Sequence, residues 1–167
     1  MNVTLIGMAG SGKSYIGKRL AEYVGVAFLD NDEELEKAHG KPIQSILDAL
    51  GERAYLDEEM NVLMRNTRGK NNIVISPGGS IIYRVQAMDY LKDISVVVYL
   101  KVPQETVESR LSGLPPRAII GLGRKSVREL YDERHPLYEA YADFVIEPTG
   151  RSEEEVLRAI AEYVAER

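Results

Sequence analysis

Short apolar runs alternate along this chain with stretches of helical periodicity. Runs typical of β-strands cover residues 3–6, 26–29, 73–75, 96–100 and 144–146. The longest stretches whose apolar positions recur at helical spacing cover residues 14–23, 42–50, 52–64, 104–111, 127–134 and 153–165. Strands that are apolar nearly throughout are expected where helices cover both faces of a parallel sheet. We therefore predict a three-layer α/β/α fold with a central five-stranded parallel sheet.

The composition narrows the possible classes of protein. A chain of 167 residues, 44% hydrophobic and 28% charged, is ordinary for one soluble domain, so we predict a single domain over residues 1–167. The net charge of −5 gives no global positive field toward nucleic acid or an anionic membrane, and we expect neither as a partner. The chain has no cysteine, which excludes thiolate chemistry.

The N-terminal residues show no targeting signal. Met1 leads into the strand-like residues 3–6 without a basic region or a cleavage site. The longest mostly apolar run, residues 94–100, is too short to span a bilayer. We expect a cytoplasmic protein, and a monomer.

A phosphate-binding motif follows the first predicted strand and opens the first predicted helix. Residues 7–14 read Gly-Met-Ala-Gly-Ser-Gly-Lys-Ser, which matches G-x-x-x-x-G-K-S/T. Glycines let backbone N–H groups converge on phosphate oxygens at a helix N-terminus. The alternative, a glycine-rich turn with an exposed lysine, does not explain the strand and helix on either side. We predict an ATP site whose contacts are Gly10, Ser11, Gly12, Lys13, Ser14 and Tyr15.

The chemistry of the motif assigns roles to its last two residues. The Lys13 ammonium, on a loop that we expect to face solvent, would reach the β- and γ-phosphates and act in catalysis. The Ser14 hydroxyl would be a ligand of Mg²⁺. We therefore predict ATP and Mg²⁺ as cofactors.

Two carboxylates follow the second predicted strand. Asp30 and Asp32 would lie at the carboxyl edge of the sheet, where open α/β sheets bind ligands. We predict that Asp30 holds Mg²⁺, through water, and that Asp32 is the catalytic group that accepts the proton or hydrogen bond of an acceptor hydroxyl. The alternative is that one of them caps the acidic helix of residues 33–36.

A later segment has no periodicity. Residues 113–123 read Gly-Leu-Pro-Pro-Arg-Ala-Ile-Ile-Gly-Leu-Gly, with glycine at both ends and two prolines inside. We predict a mobile lid over about residues 113–124.

These motifs, taken in order, resemble the shikimate kinase family nearly end to end. The resemblance implies a nucleoside-monophosphate-kinase-like fold, a substrate-binding helical segment at about residues 32–62, and transfer of the ATP γ-phosphoryl group to a hydroxyl of shikimate or a close acidic polyol. The residues that carry it are the P-loop, Leu29-Asp30-Asn31-Asp32, Gly51-Glu52, Gly78-Gly79, Arg117 and Arg134-His-Pro-Leu-Tyr138.

The resemblance also implies individual contacts. On the nucleotide side, Arg117 matches a catalytic lid arginine that contacts ATP phosphates, Arg110 would pack on adenine, and Arg151 lies in a loop that borders the base. On the acceptor side, Arg134 would bind the substrate carboxylate. Each arginine has the alternative of being a solvated surface residue.

The other implied acceptor contacts are Asp32, Glu59, Gly78 and Gly79. The two glycines would let the backbone approach the substrate closely, although an ordinary turn after Pro77 is the alternative.

One position departs from the family pattern. Shikimate kinases carry G-E-x-x-F-R-x-x-E, and residues 51–59 read Gly-Glu-Arg-Ala-Tyr-Leu-Asp-Glu-Glu, so Leu56 replaces an arginine of the carboxylate clamp. We predict that Leu56 faces the acceptor pocket and that the lost contact weakens binding about 10- to 150-fold. Ser80 adds a hydroxyl to the usual glycine triplet nearby.

These departures keep two further functions open. A same-fold kinase could act on another acceptor, such as a sugar acid like gluconate, or a nucleotide. A regulatory module could bind ATP without productive transfer. The retained Asp30, Asp32, Arg117 and Arg134 argue against the module, and Arg134 with Asp32 favours an acidic polyol over a nucleotide.

Overall fold

A five-stranded parallel sheet forms the centre of the computed structural model, which describes residues 1–113 and 118–167. The strand order is β2-β3-β1-β4-β5, so β1 lies in the middle, where Val3 pairs with Val74 on one side and Val96 on the other. The prediction of five parallel strands is confirmed. The strands are β1 (Asn2–Ile6), β2 (Ala27–Asp30), β3 (Ile73–Ser76), β4 (Ser95–Leu100) and β5 (Phe144–Ile146).

Helices cover both faces of this sheet. Two of those in the described parts of the chain, α2 and α5, were not among the predicted stretches, and α7 runs on through Pro136 to Tyr141, past the predicted end at residue 134. The helices are α1 (Lys13–Val24), α2 (Asn31–His39), α3 (Ile43–Leu50), α4 (Glu52–Thr67), α5 (Val85–Ile94), α6 (Gln104–Ser112), α7 (Val127–Tyr141) and α8 (Glu153–Ala165).

Successive side chains of β1 point to opposite faces of the sheet and so pack into two separate hydrophobic cores. Leu5 packs with α1 and α8 on one face, and Ile6 packs with α4, α5 and α7 on the other. Helices α2, α3 and α4 make up the predicted substrate-binding segment. They share a third apolar cluster with Ile120, which lies within the predicted lid. That third cluster contains Leu35, Ile46, Tyr55, Leu56, Val62 and Ile120.

The carboxyl edge of the sheet carries the predicted motifs. The loop after β1 is the P-loop, Asp30 ends β2, and the turn of Pro77, Gly78 and Gly79 follows β3. Gly12 caps α1 at φ 92, a left-handed conformation that glycine adopts without strain. Within the described residues, none of the helices has the length and apolar character needed to cross a membrane.

Candidate active site

The P-loop lysine is folded back onto its own loop. Lys13 Nζ donates to the carbonyl oxygens of Gly7 at 2.8 Å and Met8 at 3.0 Å, and the residue is only 8% exposed. The loop, which we expected to face solvent, thus curls around the Lys13 side chain and buries it. Burial lowers the pKa of Lys13 to about 8, against the opposing charges of Asp32 and Asp30.

Two features of the P-loop floor bear on ligand binding, namely the limited space at Gly7 and the buried hydroxyl of Ser11. A Cβ on Gly7 would lie 2.9 Å from the Leu100 carbonyl oxygen and 3.0 Å from Ser11 Oγ, so only glycine fits. Ser11 Oγ is buried and has no hydrogen-bond partner among the described residues. Buried hydroxyls are normally paired, and a phosphate oxygen is the kind of partner that this loop accommodates.

Asp30 caps helix α2 and also contacts the hydroxyl of the P-loop. Its Oδ1 accepts from the Asp32 backbone N–H at 3.0 Å and caps α2, while its Oδ2 accepts from Ser14 Oγ at 2.5 Å. A carboxylate next to the P-loop hydroxyl suits a hard cation such as Mg²⁺. Among the described residues, no three acidic or histidine side chains cluster as a metal cage. Phosphate and water oxygens would have to complete the coordination.

The acceptor side contains a buried carboxylic acid. Glu59 is 1% exposed, and its Oε1 has no hydrogen-bond partner in the described parts of the chain. Ser80 Oγ donates weakly to Oε2 at 3.4 Å. Burial raises the pKa of Glu59 to about 8, the negative charge of Asp32 adds to this effect, and hydrogen bonds from Gly78 and Ser80 oppose it. This shift favours the protonated, neutral form of Glu59 in the ligand-free protein.

The two glycines of the β3 turn are required by contacts within the protein. A Cβ on Gly78 would lie 2.0 Å from Glu59 Oε1, and one on Gly79 would lie 3.2 Å from both Ala9 N and Gly7 O. Tyr138 Oη donates to the Gly79 carbonyl oxygen at 2.6 Å. The turn is thus fixed against α4, the P-loop and α7 before any substrate is considered.

Arg134 is a buried cation behind the cleft. It is 1% exposed, Nη2 donates to the Ile120 carbonyl oxygen at 2.6 Å, and Nε donates to Tyr83 Oη at 3.1 Å. No carboxylate of the described residues forms an ion pair with it. An arginine is rarely buried without an anionic partner, so an anionic ligand is the natural complement of this guanidinium.

Leu56 is not where the sequence placed it. It is 7% exposed and packs in the third cluster beside residues such as Leu35 and Ile120. It is absent from the cleft lining, whereas Tyr55 and Glu59 of the same helix reach it. The prediction that Leu56 faces the acceptor pocket was wrong, because an apolar side chain at this position is drawn into the neighbouring apolar cluster.

One cleft of about 840 Å³ brings most of the predicted residues together. Ser11 and Arg134 are buried and are not among the residues that line it. Arg151 lines a separate depression beside β5, so its contact with adenine stays a prediction. Arg117 lies outside the described residues. The predicted residues that line the cleft are Gly10, Gly12, Lys13, Ser14, Tyr15, Asp30, Asp32, Glu59, Gly78, Gly79 and Arg110.

Two tyrosines of the site were not predicted. Tyr138 ends the Arg-His-Pro-Leu-Tyr motif, so its position in that motif was a usable signal. Tyr83 lies in no motif, and only the folded structure brings its hydroxyl to Arg134. The fold and the cleft together define a P-loop phosphotransferase.

Comparison with known proteins gives the family. The family model for shikimate kinase matches residues 9–165. The shikimate kinase of Persephonella marina is 37% identical over 159 residues, which cover 95% of this chain and 96% of that protein. This chain belongs to the shikimate kinase family.

Solved structures agree with this assignment. A shikimate kinase from Acinetobacter baumannii in complex with shikimate has a TM-score of 0.86 and 30% sequence identity, and the match covers 99% of this chain and 93% of that one. The shikimate kinase from Aquifex aeolicus has a TM-score of 0.82 and 30% identity, covering 97% and 95%.

Proposed function

We propose that this protein is a shikimate kinase, which transfers the γ-phosphoryl group of ATP to a hydroxyl of shikimate. The observation that carries the proposal is that Lys13 of the P-loop and the Asp32 carboxylate line the same cleft. A phosphoryl group held at the P-loop would therefore meet an acceptor hydroxyl held at Asp32. The identity of about 37% to a shikimate kinase over most of both chains supports shikimate as the acceptor.

The residues of the cleft divide the work of transfer. Asp32 accepts the proton or hydrogen bond of the attacking hydroxyl and orients it in line with the phosphorus. Lys13 leaves the carbonyl oxygens of Gly7 and Met8 and follows the transferring phosphoryl group. No protein nucleophile is required.

Ser14 and Asp30 are the residues that would hold Mg²⁺. The metal, when bound, neutralises charge on the β- and γ-phosphates. The short hydrogen bond between the two side chains shows that their oxygens already lie together. Arg110, which donates to the Gly10 carbonyl oxygen at 2.9 Å, lies where it would border the nucleotide.

Arg134 is the group that we assign to the shikimate carboxylate. Burial is the largest cause of the pKa shifts of Lys13 and Glu59, and the positive charge of Arg134 makes a smaller contribution at both residues. Gly78, Gly79 and Ser80 line the acceptor end.

Leu56 favours a second candidate, a same-fold kinase for another acceptor. Leucine at this position supplies no second cation for the acceptor carboxylate, and an acceptor recognised more through its hydroxyl groups would tolerate that arrangement. Gluconate, with one carboxylate and several hydroxyl groups, is a candidate. The same assay separates the two candidates.

The test is ADP release measured with shikimate, quinate, gluconate and nucleoside monophosphates, with the phosphorylated product identified by mass spectrometry. We expect turnover of shikimate, with Lys13→Ala and Asp32→Asn as inactive controls. Preferred turnover of gluconate or a nucleotide would replace shikimate as the acceptor. ATP binding without transfer to any of these would contradict the assignment as a kinase.

We also propose that the protein acts as a cytoplasmic monomer without nucleic acid or membrane. The net charge of −5 supports the part of this proposal that concerns nucleic acid and anionic membranes, because it opposes binding to polyanions. Light scattering would measure the mass in solution, and a dimer would contradict the proposal.

A further inference from the structure

Tyr83 makes two different contacts with the buried arginine. Its hydroxyl accepts from Arg134 Nε at 3.1 Å, and its ring lies under the guanidinium, with Cζ 5.1 Å from the ring centroid. A hydrogen bond and a cation–π contact from one side chain fix both the direction and the plane of the guanidinium. Rotation of Arg134 about its last bonds would break one or both contacts.

Tyr83 is itself held in place. It ends the short 3₁₀ turn Ile81–Tyr83, whose Ile81 and Ile82 are buried in the main core. Its hydroxyl donates to Glu133, which also pairs with Lys125. The ring packs against the third cluster, which contains Leu56. The tyrosine is therefore a rigid support rather than a free surface side chain.

These contacts use only part of the hydrogen-bonding capacity of the guanidinium. Arginine has five N–H donors, and the described hydrogen bonds use the one on Nε and one on Nη2. The remaining donors lie on Nη1 and Nη2, the pair that binds a carboxylate through two parallel bonds. The Tyr138 hydroxyl lies near the same guanidinium.

We propose that Tyr83 is a positioning residue for the acceptor, which orients the forked end of Arg134 toward the acceptor carboxylate. This inference rests on the proposed function. With leucine at position 56, α4 supplies no second cation at that position, so recognition of the carboxylate depends on how well a single guanidinium is oriented. Preorganisation of the arginine by Tyr83 reduces the ordering that binding would otherwise require.

The test compares three variants with the wild type. Tyr83→Phe removes the hydroxyl and keeps the ring, and Tyr83→Leu removes both. Tyr163→Phe is the matched control, because Tyr163 Oη donates to the Asp143 carbonyl oxygen at 2.6 Å in the β5–α8 region, away from the cleft. For each variant, the KM for shikimate, the KM for ATP, kcat and the melting temperature are measured.

We expect Tyr83→Phe to raise the shikimate KM about three- to tenfold, with the ATP KM and melting temperature nearly unchanged. Tyr83→Leu should raise it further, and Tyr163→Phe should leave it unchanged. In an Arg134→Lys background, which lacks Nε and the fork, loss of the Tyr83 hydroxyl should have a much smaller effect on the shikimate KM.

Two outcomes overturn the inference separately from the proposed function. If the wild type phosphorylates shikimate and Tyr83→Phe leaves its KM unchanged, or raises the ATP KM equally, Tyr83 does not position Arg134 for the acceptor. If the wild type does not phosphorylate shikimate, the proposed function fails, and the inference fails with it.

Discussion

At the scale of one residue, Glu59 is a buried carboxylic acid on the acceptor side whose pKa is raised in the folded protein. The folded state keeps its proton up to a pKa of about 8, while the unfolded chain releases it near the usual value of 4.5. Below the usual pKa, both states hold the proton and burial of the neutral acid costs least. Between the two values, stability must fall as pH rises, because only the folded state still holds the proton.

Glu59→Gln should remove this dependence. Urea unfolding of the ligand-free wild type and the variant at several pH values between 5 and 8 measures it. We expect the wild type to lose stability relative to Glu59→Gln by up to about 1.4 kcal/mol per pH unit across that range. Parallel stability curves for the two proteins would show that Glu59 is already ionised near pH 5.

Leu56 leads to a second prediction at this scale. An arginine at position 56 would place a guanidinium in the cluster of Leu35, Ile46 and Ile120 rather than in the cleft. We expect Leu56→Arg to lower the free energy of unfolding by about 3 kcal/mol or more. We do not expect it to lower the shikimate KM. Leu56→Met, which conserves volume and apolar character, should cost less than about 1.5 kcal/mol. A stable Leu56→Arg protein with a lower KM would restore the pocket-facing orientation.

The contrast between Lys13 and Leu56 shows what sequence can predict about single residues. The role of Lys13 follows from a local motif, since eight consecutive residues fix the P-loop geometry. The direction of Leu56 depends on α2, α3 and Ile120, which meet only in the fold. The contact between Tyr83 and Arg134 is harder still to predict, because the two residues are 51 positions apart in the sequence and Tyr83 belongs to no motif.

At the scale of elements, Glu52 links the start of α4 to the end of the predicted lid. Its Oε1 accepts from the Gly121 backbone N–H at 2.9 Å, and its Oε2 accepts from Arg124 Nη2 at 2.5 Å. The hydrogen bond to Arg124, followed by that to Gly121, lowers the pKa of Glu52. The same carboxylate therefore holds a backbone and a side chain of one loop.

Glu52→Ala should loosen this loop without unfolding the protein. We expect trypsin to cleave after Arg124 and Lys125 about tenfold faster in the variant, because a charge-assisted backbone contact and an ion pair are lost together. Glu153→Ala is the control, since Glu153 pairs with Arg19 and Tyr15 on another part of the surface. Equal cleavage rates in wild type and Glu52→Ala would mean that other contacts hold the loop.

The elements also show where periodicity succeeds and fails. The strands were predicted within one residue at every end, because burial on both faces of the sheet requires an uninterrupted run of apolar residues. The Ser-x-x-Glu spacing at Ser152 is typical of the capping box that opens α8, and the structure shows a second box of the same spacing at Ser126, where α7 begins. Helix α7 was predicted too short, because Pro136 reads as a stop although the buried Tyr138 beyond it continues the packing. Helix α2 was named only as the acidic helix of residues 33–36, because few of its residues are buried and its apolar periodicity is weak.

At the scale of the whole molecule, the cleft must accept negatively charged phosphates beside negatively charged carboxylates. The phosphates of ATP must come close to Asp30 and Asp32 in a protein whose net charge is −5. A divalent cation held at Ser14 and Asp30 would remove most of this repulsion. Binding to the folded state alone raises the melting temperature, so stability reports on this charge balance.

Thermal unfolding with ATP in the presence of Mg²⁺ or of EDTA tests this arrangement. At a ligand concentration about 100 times Kd, binding stabilises a protein by about 2.7 kcal/mol, so we expect ATP with Mg²⁺ to raise the melting temperature by roughly 5–10 °C and ATP with EDTA to raise it much less. Asp30→Asn is the discriminating variant, because asparagine caps α2 as well as aspartate but offers no carboxylate to the metal. In that variant the two shifts should become similar, since the metal ligand and part of the repulsion disappear together. If Mg²⁺ still raised the melting temperature of Asp30→Asn with ATP as much as it does in the wild type, the metal would bind elsewhere. Lys13→Ala should lose most of the rise in melting temperature both with Mg²⁺ and with EDTA.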